Sequence, residues 1–504
     1  MTKNDKNMLI SWFLVILGSI SLVLYLDTIF RYINFPSYLD HAEPNVVFRS
    51  WRLLNGEMIY NPIDSEFFLI VAYGPVLFLI NAFYFKLLGS TILVSKLSPI
   101  IASLLSVMVF VYYAWREFGF RLLGIGIFIF VCFLLFGTPY TIWTRPEPHI
   151  IFFVTLSLVA GSQGLRAENI WLGPILVAIL IGLSVNVKVH SFIYFIPVVI
   201  LYCSDHYLKV WPIMVVISIL VFLSPFALPQ ISMEHYIEGV KSVVSVRRII
   251  LDSLYVSLRY ATSFIIPGIL ALTLVIFFAR NNLNKRDIFA FGLFVVCVIV
   301  GLYPSSLPGT AWNQLIPFIP VSVALFLHLV NSLSHHLKSQ YVIFTSLILI
   351  FAILSVTPQK RFRKNIEGMQ QKTTEAVLNV KEILEKFPDK TIEMGYGSDV
   401  AETYKLTFVK PILAFAGNPV TVDGWSDMES YEYGSKLQAS KLKRFKHCKT
   451  NLWLIPRAEL PFTMDNYSPG KKAFWPEYVT AFMHAHEKID TSTHFDIWRC
   501  RSRN

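Results

Sequence analysis

Mostly apolar stretches recur from Leu9 to Val356, separated by short polar loops. At roughly 20 residues per crossing, this pattern predicts about eleven membrane-spanning helices. They fall near 9–26, 92–114, 122–138, 148–165, 171–187, 190–204, 210–229, 260–280, 288–303, 314–331 and 340–357. One more apolar stretch, 67–88, is long enough to cross, yet it carries Tyr73-Gly74-Pro75, Asn81 and Lys86. Laid along the membrane surface instead, it leaves the loops at Trp115–Arg121, Arg166, Lys209, Arg280–Arg286 and His335–Lys338 on the side of Lys3 and Lys6. Short loops rich in Lys and Arg mark the cytoplasmic face. Asp40, Arg145, Lys188, Arg247, Arg248 and the loop Tyr303–Asn313 then face outward. The basic run Lys360–Lys364 follows the last span and goes against this orientation.

Beyond about Lys360 the pattern changes. Charges return, and short alternating runs predict strands at Thr391–Met394, Val420–Val422, Leu452–Ile455 and Phe495–Trp498, after a helical stretch at Thr373–Phe387. The expected architecture is a polytopic α-helical membrane protein with a C-terminal soluble mixed α/β domain. Residues 1–358 form the membrane module, and 27–91 form its first extracytoplasmic loop with juxtamembrane helices. Residues 359–504 form the soluble, extracytoplasmic domain.

Composition agrees. Of 504 residues only 15% are charged, and mean hydropathy is +0.54, whereas soluble domains carry about 25% charged residues. The net charge of +11 fits cytoplasmic loops and lipid headgroups, and no nucleic-acid module is present. The first segment has no small-residue cleavage site and is read as a span, not a removable signal. Cys132, Cys203 and Cys297 fall in apolar segments, whereas Cys448 and Cys500 lie in the polar tail and could pair in an oxidising compartment.

The stretch from Tyr38 to Leu88 carries the first candidate chemistry. Asp40 and Glu43 lie three apart, and Pro44 opens an amphipathic helix that Gly56 can close. Glu43 suits the helix dipole, and Asp40 suits either an ion pair or a general base. Val47, Trp51 and Leu54 share one helix face, with Arg49 and Arg52 off it, as in an interfacial helix. Further on, Arg145-Pro146-Glu147-Pro148 falls between two spans, where the Arg and Glu could snorkel or pair with each other, or Arg145 could neutralise an anionic group. Lys188 and His190 interrupt an apolar run. A lysine there snorkels or serves as a point-charge phosphate binder. Arg247 and Arg248 form a candidate phosphate clamp or a headgroup-facing loop. Asn313, in a Pro/Gly loop before a span, is a hydrogen-bond donor for a sugar or phosphate.

In order along the chain, Asp40-x-x-Glu43-Pro44, Leu54-Asn55-Gly56-Glu57 with Tyr60, Tyr73-Gly74-Pro75, Arg145-Pro146-Glu147, Lys188, and Pro308-Gly309 with Asn313 resemble the C-type (GT-C) glycosyltransferases. These multi-span enzymes use polyprenyl-phosphate sugars. The resemblance covers roughly 1–330 and is nearest to bacterial relatives of protein mannosyltransferase and aminoarabinose transferase. It implies that 67–88 is juxtamembrane and that Asp40 is the base in an extracytoplasmic cavity. Glu43 stands beside Asp40 as a catalytic carboxylate. Arg145, Lys188, Arg247 and Arg248 are the candidate donor-phosphate ligands, and Tyr73, His190 and Asn313 the candidate substrate ligands. Many relatives have an acidic residue where His41 stands here. Asp40, His41 and Glu43 could supply metal ligands but make no recognised spacing, so a divalent metal stays open. The expected partners are a polyprenyl-phosphate-linked sugar, membrane lipids and an extracytoplasmic acceptor (glycolipid, polysaccharide or protein), in a bacterial inner membrane. The rival reading is a transporter or flippase of a lipid-linked sugar; the paired halves usual in transporters are not visible.

Overall fold

The structure is a computed structural model describing residues 3–70, 72–166, 170–204, 207–244, 249–307, 310–333, 337–399, 402–432, 437–464 and 475–501. It divides into two compact units. The first comprises Met1–Tyr32, Pro99–Pro225 and Arg248–Asn365; the second comprises Ile33–Ser98, Phe226–Arg247 and Ile366–Asn504.

The first unit is helical. Among the described residues, six helices are long and apolar enough to cross a membrane: Trp12–Ile33, Ile92–Phe118, Leu208–Ala227, Leu251–Phe278, Lys285–Ser305 and Trp312–Ser332. Leu122–Phe136, Leu172–Val187 and Val189–Cys203 are apolar but shorter. Bulky apolar side chains such as Leu208, Leu251 and Phe277 stand exposed, as a lipid-facing surface requires. The chain is an integral membrane protein. The expected span 340–357 and the helix 373–387 are parts of one 50-residue helix, Leu337–Lys386, which continues through Pro358. Its basic run is tied to the first helix: Gln359 Nε2 donates to the Leu24 carbonyl at 3.2 Å, and Arg363 pairs with Asp27 at 2.6 Å. Part of the charge that conflicted with the proposed orientation is thus matched by an acidic residue in the first span.

The second unit joins segments far apart in sequence. The helix expected to open at Pro44 begins two residues earlier, spanning Ala42–Leu54 with Glu43 already in its first turn, and it ends before Gly56, whose φ is +77°. Arg49 and Arg52 are buried, not surface residues. Arg49 donates to the carbonyls of Ile59 and Leu69, and Arg52 pairs with Glu57 at 2.8 Å. They close the irregular backbone that follows, which offers carbonyls but few partners. Within 67–88 only Pro75–Leu88 is helical, 14 residues in all, or about 21 Å against the ~30 Å of a hydrocarbon core.

The tail sheet has strands β1 (Ile392–Met394), β2 (Leu452–Pro456), β3 (His486–Thr491) and β4 (Phe495–Cys500), in the order β1-β2-β4-β3. Only the β1–β2 pairing is parallel. Side chains alternate across a strand. Leu452 and Leu454 therefore pack with Ala376, Val380 and Ile383 of the long helix, while Trp453 and Ile455 join Phe445, Phe462 and Phe482 on the other face. Val420–Val422 forms no strand. Its central N–H and hydroxyl, both from Thr421, donate to Glu393 at 3.0 and 2.6 Å instead of to a ladder. Cys448 and Cys500 form a disulfide.

Candidate active site

Two polar clusters contain most of the residues singled out from the sequence, one in each unit.

In the first unit three helix ends converge on Glu147. This residue lies in the first turn of helix Pro146–Arg166, where the helix dipole favours a carboxylate. Lys188 caps the end of Leu172–Val187, and Asn313 opens a 3₁₀ turn, Trp312–Phe318. Lys188 Nζ and Asn313 Nδ2 both donate to Glu147 Oε1, at 3.0 and 2.8 Å. Arg145 Nε stands 3.6 Å from Glu147 Oε2. All four side chains are buried. His190 Nε2 lies 3.1 Å from Gln314 Oε1, and the Tyr194 hydroxyl donates to the Gln314 carbonyl at 2.6 Å. Among the described residues the cluster gathers two cations, Arg145 and Lys188, at one carboxylate, where ionised groups are costly. Arg145, Lys188 and Asn313 are brought together as the sequence suggested, with His190 beside them through Gln314. Glu147, their common partner, was read from the sequence only as a possible partner of Arg145. Its only sequence signal is a carboxylate between two helix-starting prolines.

In the second unit the Asp40 turn leads into helix Ala42–Leu54. Glu43 is fully buried and reaches back, its Oε1 accepting the Leu39 and Asp40 N–H groups at 3.0 and 3.2 Å. The Ala42 N–H donates to Asp40 Oδ1 at 2.9 Å. The Asp40 side chain keeps 15% exposure, and its Oδ2 lies 3.6 Å from His41 Nδ1. The preceding loop is anchored by Tyr38, whose hydroxyl lies 2.8 Å from Ser95 Oγ, and by Lys96, which donates to the Phe35 carbonyl at 2.6 Å. Lys96 is fully buried and also interacts electrostatically with Glu43; sequence reasoning passed over it inside an apolar run. Tyr73 belongs to the same unit, where its carbonyl accepts the Tyr60 hydroxyl at 2.8 Å. Arg247 and Arg248 lie outside the described residues.

Among the described residues no three His, Cys, Asp or Glu side chains converge as a metal-ligand set. Glu43 Oε1 is already held by two backbone N–H groups. Asp40, His41 and Glu43 are therefore a poor fit to a metal site, and no chemical step below runs through one.

No protein-family model matches the chain, and no curated protein matches it by sequence. Solved structures do resemble it. ArnT from Cupriavidus metallidurans bound to undecaprenyl phosphate superposes with a TM-score of 0.59 at 11% identity, over 97% of this chain and 98% of that one. ArnT from the same organism in the apo state gives 0.56 at 10% identity, over 95% and 97%. At such identity the likeness is one of fold, and it extends over both units. The chain is a polytopic α-helical membrane protein with the GT-C fold, the architecture of the C-type glycosyltransferases.

Proposed function

We propose that the chain is an inverting glycosyltransferase that moves a sugar from a polyprenyl-phosphate donor to a hydroxyl of an extracytoplasmic acceptor. The observation that carries this reading is the buried Glu147 cluster, with two cations for one carboxylate. Two buried cations held at one point suit a lipid phosphate. The fold adds support, since the ArnT structure of the same architecture is bound to undecaprenyl phosphate.

In this mechanism Asp40 takes the proton of the acceptor hydroxyl as the oxygen attacks the anomeric carbon. The bond from that carbon to the phosphate oxygen breaks, and its electron pair leaves with the lipid phosphate. A single displacement inverts the anomeric centre. Lys188 and Arg145 stabilise the charge that develops on the leaving phosphate. Glu147 aims Lys188, Glu43 shapes the turn that presents Asp40, and Asn313, His190 and Tyr73 contact the sugar. The Arg247–Arg248 pair completes the phosphate site. The tail and the chemistry lie outside a bacterial inner membrane, a placement that the Cys448–Cys500 disulfide favours.

The test uses the full chain in lipid nanodiscs with a panel of undecaprenyl-phosphate hexoses, pentoses and aminopentoses, plus envelope extract as acceptor. Mass spectrometry should detect extract-dependent release of undecaprenyl phosphate, and Asp40→Asn should abolish it. Movement of the intact lipid-linked sugar across a bilayer without bond cleavage would instead install the transporter reading. For orientation, an impermeant thiol reagent should label single cysteines near Asp40, in the Arg145 loop and in the tail of intact cells. Labelling near Asp40 alone would refute the placement.

A further inference from the structure

The Asp40 turn is held from the tail. Residues 423–426 touch it, or its neighbours in the first loop, at three points within the second unit. The Trp425 indole stacks on the His41 imidazole, with ring centroids 3.7 Å apart and planes 26° apart. Asn45 Nδ2, on the first turns of helix Ala42–Leu54, donates to Asp423 Oδ2 at 2.9 Å. The Ile70 N–H donates to Ser426 Oγ at 2.6 Å.

The holding segment is itself fixed. Asp423 is ion-paired with Lys410, and its Oδ2 accepts the Ser426 N–H at 2.9 Å. The Trp425 N–H donates to the Tyr404 hydroxyl at 3.0 Å. Asp423 is buried. Burial alone would raise its carboxyl, but the Lys410 ammonium and the hydrogen bonds more than offset that and hold it below the ordinary value. It is therefore an ionised acceptor for Asn45 at neutral pH, and hydrogen bonds to ionised groups are the stronger kind.

His41 transmits the contact. It is the residue after Asp40, and its Nδ1 edge lies 3.6 Å from Asp40 Oδ2. The stack fixes the plane of the imidazole and so the edge that it turns to the carboxylate. Ordinary packing could explain one such contact. Here three contacts from four consecutive tail residues fall on the turn, the helix that it opens and the irregular backbone at Ile70.

We propose that Asp423, Trp425 and Ser426 are positioning residues: the tail domain holds the Asp40 turn in the geometry that receives the acceptor's proton. The inference rests on the reading of Asp40 as the base. It gives the tail a part in the reaction that does not require it to bind acceptor or donor.

The experiment compares Trp425→Ala, Trp425→Phe, Asn45→Ala and Asp40→Asn in the full chain in nanodiscs. Trp425→Ala should speed hydrogen exchange in 39–46 and lower turnover about 10- to 100-fold, the scale of a small misplacement of a reacting group. Affinity for undecaprenyl phosphate should not change. Trp425→Phe keeps an aromatic ring over His41 and should restore most of both readouts, which a general loss of tail packing would not predict. Asn45→Ala leaves the tail core intact and should give a smaller change of the same kind, so the inference stays testable if Trp425→Ala does not fold. If Asp40→Asn is inactive while Trp425→Ala and Asn45→Ala match the unmodified chain in exchange and turnover, the positioning inference is wrong and the proposed function stands. If Asp40→Asn turns over donor normally, the base assignment fails and takes the positioning role with it.

Discussion

Both units bury carboxylates among cations, but the charges balance differently. In the tail the described buried carboxylates each meet a cation: Asp423 meets Lys410, Asp427 meets Lys441, Asp496 meets Lys488, and Glu393 meets Arg444, which also reaches Glu66. Glu393 also receives the Thr421 N–H and the hydroxyls of Thr421 and Thr450. In the membrane bundle Glu147 faces both Lys188 and Arg145, and a single oxygen serves Lys188 and Asn313. Closed pairs satisfy themselves and fasten loops to the sheet. Two buried cations gathered at one carboxylate are what the proposed phosphate site rests on, since charge interactions are strong in a low-dielectric bundle. Buried charge alone does not single out a candidate; two cations at one carboxylate where three helix ends meet do so here.

Breaking the unbalanced cluster should have the largest consequence. Lys188→Met should lower turnover by roughly 10²–10³-fold, the usual cost of losing one donor to a developing anion. Arg145 would remain beside Glu147, so the bundle should still fold. Lys188→Arg should retain part of the activity. Release of undecaprenyl phosphate reads both variants, and normal turnover by Lys188→Met would mean that the extra cation is structural. The balanced pair should respond in the opposite way. Arg444→Met leaves Glu393 buried without its cation, which costs about 3–5 kcal/mol. Denaturant unfolding should show the loss, while turnover per folded molecule stays the same. A fall in turnover at unchanged stability would erase the distinction between the two regions.

Much of this was legible in the chain, because membrane helices and turn chemistry are local. The apolar stretches predicted the bundle, and Pro44 and Gly56 located the helix Ala42–Leu54 to within two residues at either end. All three residues around Glu147 (Arg145, Lys188 and Asn313) were singled out from the sequence. Pairing across long separations was not legible. Glu147 meets Asn313 from 166 residues away, and Asn45 meets Asp423 from 378. Local pattern also misled where a side chain replaced a backbone partner. Val420–Val422 alternates like a strand, but Thr421 is taken by Glu393. Arg49 and Arg52 looked solvent-facing, but they serve carbonyls and Glu57 in the interior. Strand β3 was missed because His486–Thr491 is mostly polar and lies at the sheet edge, where exposed polar residues protect an unpaired ladder.

The smallest expected effect separates folding from turnover by pH. His486 is buried beneath Phe482, with ring centroids 4.4 Å apart, and its Nδ1 lies 3.2 Å from the Phe482 carbonyl. Burial pushes the imidazole down from 6.5 to about 4, with the carbonyl contact working the other way. Between those values the unfolded chain takes a proton that the folded tail refuses. The contribution to stability is therefore complete above about pH 6.5, falls as pH drops toward 4, and levels off below it. Asp423 acts in a lower window. Its folded value lies below the ordinary 3.8, so its contribution persists until the pH falls beneath that and is then lost. Asp427 opposes it, since burial raises its carboxyl despite Lys441, and its contribution declines as pH rises through the raised value. Only His486 acts between pH 6.5 and about 4 in one direction without a charged partner. His486→Asn keeps a donor for the Phe482 carbonyl and removes the titration. Hydrogen exchange across β3 and β4 at stepped pH should then show a flatter profile in that window, with Lys188-dependent turnover unaffected at neutral pH. If the variant keeps the native slope, the acid sensitivity belongs to the carboxylates, and the tail's balanced pairs are weaker than their burial suggests.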